Sequence, residues 1–223
     1  MKELLFCNKC GEVRYTELEK LGNECGVCCE GKYIGTGINY TKVDTEINEE
    51  TVSIAAQAFA DFIHRDYKEK SPCVALAYDT RKNSQLFATT FAEVLSGNRI
   101  QVLLSDRIAP TPVLSYATLH LNCCAGVMIT ASHNPPSYNG IKFKSRLGGP
   151  FCSDDTRKVE QYLYASPVVR STTHIHKMNF IPAYVEHIEK RIDFEIIRKA
   201  ALNILIDSMG GAGLTLIQEI LHS

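Results

Sequence analysis

The residues best placed to do chemistry stand in a polar turn, where Ser132 and His133 are followed by Asn134 and two prolines. The turn follows the apolar run 125–129, which has the length of a buried strand. Open α/β sheets bind ligands beyond the carboxyl ends of their strands, so the turn would present a hydroxyl and an imidazole at such a place. Adjacent Ser and His side chains usually diverge, and there is no Gly-x-Ser-x-Gly elbow, so a serine-hydrolase triad is not indicated. By spacing alone, a polar turn without chemistry is an equally good interpretation.

A second set of reactive residues lies near the N-terminus. Two Cys-x-x-Cys pairs, Cys7/Cys10 and Cys25/Cys28, are separated by fourteen residues. Such pairs can supply the four thiolates of a tetrahedral zinc site, and we predict a zinc ribbon in residues 1–33. Cys29 allows a different second pair, Cys25/Cys29. Four thiolates also suit iron, and free thiols without a metal are a further alternative.

The ribbon segment does not have the charge of a nucleic-acid binder. Residues 1–33 contain five Lys or Arg and six Glu, and four thiolates on one Zn²⁺ would add about two negative charges. Binding to a phosphate backbone needs the opposite sign. We therefore predict a structural or protein-contact role for the ribbon.

Alternating strands and helices must position the polar turn. Strand-like runs occur at residues 73–78, 100–104 and 125–129, and helix-like stretches at 48–63, 86–95, 110–119 and 153–163. This alternation is typical of a layered α/β/α domain with a mostly parallel sheet. We place that domain at residues 34–168.

The remaining residues, 169–223, have a different pattern. We predict a helix over residues 182–192, a strand over 202–206, and a glycine turn at 207–213 that leads into a last helix. One strand and one helix cannot bury a core, so the segment is interpreted as a linker helix and the incomplete start of a second α/β domain. His174 and His176 lack an evident third ligand and are interpreted as a solvated pair in the linker.

Composition excludes several classes of protein. The 24 Lys and Arg nearly balance the 25 Asp and Glu, which gives a formal net charge of −1. This balance argues against a nucleic-acid or membrane-surface binder. The apolar runs are too short to span a bilayer, and the first residues do not form a signal peptide. We expect a cytoplasmic protein without nucleic-acid or membrane partners.

The amino-acid sequence of the polar turn resembles that of a known family. Residues 130–142 read TASHNPPSYNGIK, which resembles the phosphoserine signature of the α-D-phosphohexomutases, the phosphoglucomutase/phosphomannomutase family. Residues 78–81 with Ser84, residues 109–116 and residues 207–213 support it in the expected order. The resemblance runs from about residue 35 to residue 223 and leaves the ribbon segment outside.

The resemblance implies an isomerase that transfers a phosphoryl group within a glucose or mannose phosphate. Ser132 would carry the phosphoryl group as phosphoserine, with Mg²⁺ bound through its phosphate. His133 and Asn134 would shape the loop. Lys142 would neutralise phosphate charge or assist proton transfer, and Arg81 would lie on the substrate side of the site, although a plain ion pair at a helix start is a close alternative for Arg81.

Two departures from the family pattern affect this expectation. Residues 35–40 read GTGINY, so an arginine that the family places there is missing and Tyr40 stands near its position. No Asp-x-Asp-x-Asp metal loop exists in the 223 residues. We therefore expect a truncated family member that cannot complete a mutase cycle alone. The alternatives are an adaptor that binds phosphosugar or a partner protein, and a phosphoacceptor half that works with a second polypeptide.

Overall fold

The computed structural model describes residues 2–6, 13–17, 37–43, 47–68 and 70–222. Near the N-terminus, strands β1 (Lys2–Phe6) and β2 (Val13–Glu17) pair antiparallel, with Lys2 opposite Glu17. They form a two-stranded sheet of their own. The four ribbon cysteines lie outside the described residues.

Six further strands form one sheet within the described residues. They are β3 (Gly37–Lys42), β4 (Cys73–Tyr78), β5 (Gln101–Ser105), β6 (Ala125–Ile129), β7 (Tyr138–Ser145) and β8 (Ile175–Met178). The order across the sheet is β3-β7-β6-β4-β5-β8. Strands β6, β4, β5 and β8 run parallel, whereas β7 is antiparallel to both β6 and β3. The predicted α/β fold with a mostly parallel sheet is confirmed.

Helices cover both faces of this sheet. They are α1 (Glu49–Phe62), which continues as a π-helix over Ile63–Tyr67, α2 (Ser84–Gly97), α3 (Thr111–His120), α4 (Ser153–Gln161), α5 (Ile181–Glu189), α6 (Phe194–Lys199) and α7 (Leu214–His222). Helices α1, α2 and α4 share one buried apolar cluster with the sheet, and α3, α5 and α7 share a second. The domain thus has three layers, as predicted.

The larger core is built around aromatic rings. Phe59 of α1 stacks on Phe143 of β7, with ring centroids 4.5 Å apart and planes 6° from parallel, and Phe151 packs against both rings. Helix α1 is fixed at its start by a capping box, in which Asn48 and Thr51 exchange side-chain and backbone hydrogen bonds. The ring contacts pack α1 against β7.

The segment after residue 168 departs from the prediction. The predicted strand over residues 202–206 does not form, and Leu205 is 97% exposed. An apolar run becomes a strand only beside another strand, and no neighbouring strand meets it in the described part of the chain. Instead β8, which contains His176, joins the sheet edge inside the stretch interpreted as a linker, and the short helix α6 was not predicted. His176 therefore lies in a strand and not in a linker, whereas His174 and His176 are both exposed, as expected for a solvated pair.

The predicted helix over residues 182–192 is present as α5, which ends earlier, at Glu189. The last helix is also present as α7, after a turn in which the Met209 amide donates to Asp207 Oδ1. No helix among the described residues is both long and apolar enough to cross a membrane.

Candidate active site

The loop between β6 and β7 lies at the carboxyl end of β6. Its first residue, Thr130, donates its amide to the Gly140 carbonyl, which closes the base of the loop. The neighbouring parallel strand β4 ends at the same edge, where the Asp79 amide donates to the Ile129 carbonyl at 3.2 Å. Two chain segments, residues 79–84 and 130–139, therefore meet at this edge of the sheet.

Ser132 has an unusual backbone conformation. Its φ is +58°, in the left-handed region, and its side chain is exposed. A residue with a Cβ pays a conformational cost there and persists only where its surroundings hold it. Its amide donates to Thr130 Oγ1 at 3.0 Å, and two residues later the Asn134 amide donates to the Ala131 carbonyl. These hydrogen bonds thus hold the backbone conformation in which the Ser132 hydroxyl is exposed to solvent.

The guanidinium of Arg81 holds this loop from inside. Its two terminal nitrogens donate to four loop carbonyls, at distances of 2.6 to 3.0 Å. The acceptors are the carbonyl oxygens of Ser132, Asn134, Pro135 and Tyr138. One planar side chain therefore bridges both ends of the loop, a geometry that the point charge of lysine cannot reproduce. We call this arrangement the arginine clamp.

Asp79 holds the clamp in place. Its Oδ1 accepts hydrogen bonds from the Arg81 amide at 3.0 Å and from Ser84 Oγ at 2.8 Å. Its Oδ2 lies 3.5 Å from Arg81 Nε, and the two side chains are only 13% and 12% exposed. The helix-start ion pair considered for Arg81 is thus present. The same arginine also reaches the loop, since its Nε faces Asp79 while its terminal nitrogens reach the carbonyls.

Asn139 joins the two segments below the clamp. It is fully buried, and its Nδ2 donates to the Lys82 carbonyl at 3.0 Å and to Ser84 Oγ at 2.9 Å. Its Oδ1 accepts from the Gly140 amide. Because each polar atom of this side chain is bonded, the start of β7 is fixed to the start of α2.

The other predicted site residues lie on the same hairpin. His133 is exposed and Asn134 is half-buried, both in the loop. Lys142 is half-buried in β7, opposite Met128 of β6 and Gly37 of β3. The structure thus brings Arg81 together with Ser132 and Asn134, and it places Lys142 two strand positions past the base of the loop.

A second lysine lies farther along β7. Lys144 is buried, and burial, followed by the nearby charge of Lys142, lowers its pKa. The two lysines concentrate positive charge on one face of the strand.

Sequence reasoning did not assign four residues that build this site: Asp79, Ser84, Thr130 and Asn139. Asp79 and Ser84 were part of the motif that carried the resemblance, so a signal was available. Thr130 and Asn139 lie within the signature itself. The ribbon cysteines, like Gly35 and Thr36, lie outside the described residues, while Tyr40 lies in β3.

Comparison with known proteins agrees with this fold. Residues 34–167 match the family model of phosphoglucomutase/phosphomannomutase, alpha/beta/alpha domain I. Phosphoglucomutases of Staphylococcus aureus strains MRSA252 and USA300 are 32% and 31% identical to the chain over 188 residues. Each match covers 79% of this chain and 33% of the relative, so the chain spans about a third of the length of these relatives.

Solved structures give the same result. A Thermus thermophilus protein assigned as a phosphomannomutase has a TM-score of 0.74 at 28% identity, over 86% of this chain and 43% of that one. Pp63/parafusin of Paramecium, in an open form, shares the fold with a TM-score of 0.73 at 18% identity, over 84% and 40% of the two chains. The chain belongs to the phosphoglucomutase/phosphomannomutase family, and residues 34–167 are its α/β/α domain I.

Proposed function

We propose that the chain carries the phosphoacceptor of a hexose phosphate isomerase, with Ser132 as the acceptor residue. The observation that carries this proposal is the exposed Ser132 hydroxyl, held in a left-handed backbone by the arginine clamp. Members of the family are intramolecular phosphotransferases. The substrate class is a glucose or mannose phosphate, in carbohydrate metabolism.

The reaction at Ser132 is a phosphoryl exchange with a hexose bisphosphate. The Ser132 Oγ–P bond forms, the bond between phosphorus and one sugar oxygen breaks, and the hydroxyl proton passes to that oxygen. In the reverse sense, phosphoserine donates to the free hydroxyl of a monophosphate. Apart from the bond that Ser132 Oγ makes to phosphorus, the protein contributes to such a step mainly through positioning and charge stabilisation.

The neighbouring residues would serve positioning and charge. Lys142 would neutralise phosphate charge or assist the proton transfer, while His133 and Asn134 would shape the loop around the hydroxyl. Arg81 was predicted on the substrate side of the site. Because its terminal nitrogens are bonded to backbone carbonyls, we propose that it acts on the loop rather than on the phosphate.

The family uses Mg²⁺, but the residues that the structure describes do not complete a magnesium site by themselves. Mg²⁺ takes oxygen ligands in an octahedron. Asp79, the carboxylate beside the loop, already bonds Arg81 and Ser84, and no group of three or more His, Cys, Asp or Glu able to hold a metal occurs among the described residues. Ser132 would contribute a ligand only through its phosphate, so we derive no step through the metal.

For the N-terminal segment we propose a zinc site formed by Cys7, Cys10, Cys25 and Cys28. The support is the sequence spacing and the pairing of β1 with β2, the two strands that flank Cys7 and Cys10 in the sequence. Metal analysis of the purified chain should give one zinc per chain, and Cys7→Ser with Cys10→Ser should remove it.

A second polypeptide, or further family domains, would have to supply the carboxylates of the metal loop for a full mutase cycle. The support is that the chain spans a third of its relatives and contains no Asp-x-Asp-x-Asp. From the sequence we also propose that the protein is cytoplasmic.

The test is the intact mass of the chain before and after incubation with glucose or mannose 1,6-bisphosphate and Mg²⁺. We expect one added phosphate in the wild type and none in Ser132→Ala. Ser137→Ala, which removes another exposed hydroxyl from the same loop, is the matched control and should accept phosphate. If the wild type gains no phosphate but binds the bisphosphate, the binding-only adaptor replaces the phosphoacceptor.

A further inference from the structure

Two cysteines face each other on the sheet, away from the candidate active site. Cys73 opens β4, and Cys123 lies two residues before β6. Their Sγ atoms are 3.6 Å apart, although the residues are fifty positions apart in the chain. A disulfide is about 2.05 Å long, so each sulfur needs to move by less than 1 Å to form one.

We propose that Cys73 and Cys123 form a site of covalent modification, at which hydrogen peroxide oxidises the two thiols to a disulfide. The pair lies at the amino ends of two parallel strands, whereas Ser132 follows the carboxyl end of β6. The modification thus concerns the edge of the sheet opposite the candidate active site and does not depend on the proposed function.

The neighbouring Cys124 is excluded as the partner by its orientation. Cys123 belongs, with Cys73, to the apolar cluster under α3, α5 and α7, whereas Cys124 belongs to the cluster on the other face. Cys124 Sγ instead donates to the Cys73 carbonyl at 3.1 Å.

The two thiols differ in a way that gives each a role. Cys73 is half-buried, and the hydrogen bond from the Cys123 thiol lowers its pKa against the opposing effect of burial. Cys123 is 1% exposed, and the same hydrogen bond, with burial, raises its pKa. The thiolate is the reactive form of cysteine, so Cys73 is the attacking residue and Cys123 the resolving one.

The reaction balances in two steps. The Cys73 thiolate attacks one peroxide oxygen, the O–O bond breaks, and a sulfenic acid and hydroxide are formed. The Cys123 sulfur then attacks the Cys73 sulfur, the S–O bond breaks, and water leaves with the Cys123 proton. Conversion of the Cys73 thiolate to a neutral sulfenic acid removes the negative charge that disfavoured ionisation of Cys123. Overall, two thiols and one peroxide give one disulfide and two waters.

The test is peptide mapping of the full chain after exposure to hydrogen peroxide, with alkylation in denaturant to trap the remaining thiols. Trypsin places Cys73 in peptide 71–81 and Cys123 in peptide 108–142. We expect these two peptides, joined with the loss of two hydrogens, in the wild type and in Cys124→Ser. The joined peptide should be absent from Cys73→Ser and Cys123→Ser.

A second measurement identifies the attacking residue and covers variants that fold poorly. With dimedone present, Cys123→Ser should retain an adduct on peptide 71–81, because its sulfenic acid has no resolving partner. Two results overturn the proposal: a wild type that yields only alkylated thiols or a stable sulfenic acid, or a joined peptide that persists in Cys123→Ser and disappears in Cys124→Ser.

Discussion

Replacing Arg81 by lysine tests the arginine clamp without removing the positive charge. The ammonium group can still face Asp79, but from one point it cannot reach carbonyls at both ends of the loop. Two of the four hydrogen bonds, to the carbonyls of Asn134 and Tyr138, are partly buried, and the other two are open to water. We therefore expect the lysine variant to lose mainly the two partly buried bonds.

The size of the effect follows from those two bonds. Hydrogen bonds from a charged donor contribute about 1.5–3 kcal/mol each and are not additive, so the loop should lose about 2–4 kcal/mol. At about 1.4 kcal/mol for each factor of ten, its opening equilibrium rises by roughly 30- to 700-fold. Hydrogen exchange at the Asn134 and Tyr138 amides, which are bonded within the loop, should accelerate by that factor.

Hydrogen exchange of peptide fragments covering residues 130–142 measures this directly. Arg107→Lys is the matched control, because the Arg107 side chain is half-exposed and pairs with its sequence neighbour Asp106. Phosphate uptake by Ser132 should fall in Arg81→Lys and not in Arg107→Lys. Unchanged loop protection in a folded Arg81→Lys variant would refute the clamp, whatever the phosphate uptake.

Three further predictions concern the scaffold. Gly126→Ala should destabilise the domain by about 1–3 kcal/mol in chemical denaturation, because the new Cβ would lie 2.3 Å from Thr118 Oγ1. The control is Gly149→Ala, whose new Cβ would meet nothing closer than 3.8 Å and which should be nearly neutral. Phe59→Ala should cost about 3–5 kcal/mol in the same assay, since its buried ring contacts several others. Burial raises the pKa of Tyr67 from 10.0 to about 12, so its contribution to stability is complete below pH 10 and is lost as the pH rises to 12. Tyr67→Phe should therefore lose less unfolding free energy than the wild type across that window, and an equal loss would contradict this assignment.

The sequence predicted the layers of the domain because its apolar segments alternate with the period of strands and helices. It failed at β8, whose residues IHKM are only half apolar and mostly exposed, since an edge strand needs only one covered face. It also failed at residues 202–206, where apolar content predicts burial, while a strand additionally requires a pairing partner.

The location of the candidate site was predictable from the sequence, but the hydrogen bonds and the backbone conformation that hold its loop were not. The signature of residues 130–142 marked Ser132, and nearby motifs marked Arg81. The acceptors of the clamp are backbone carbonyls, which every residue has, so no pattern of residue types could reveal that this guanidinium binds the loop. The left-handed backbone of Ser132 was equally hidden, because glycine and asparagine are the usual residues in that region.

That backbone also limits how the protein can change during evolution. Threonine carries the same hydroxyl, but a β-branched residue is strongly disfavoured at positive φ, so position 132 accepts the shorter alcohol and resists the branched one. Glycine, asparagine and aspartate fit the same conformation at little cost. Lineages that lose the acceptor are therefore expected to drift to these three residues, with the loop intact, rather than to exchange one phosphorylatable residue for the other.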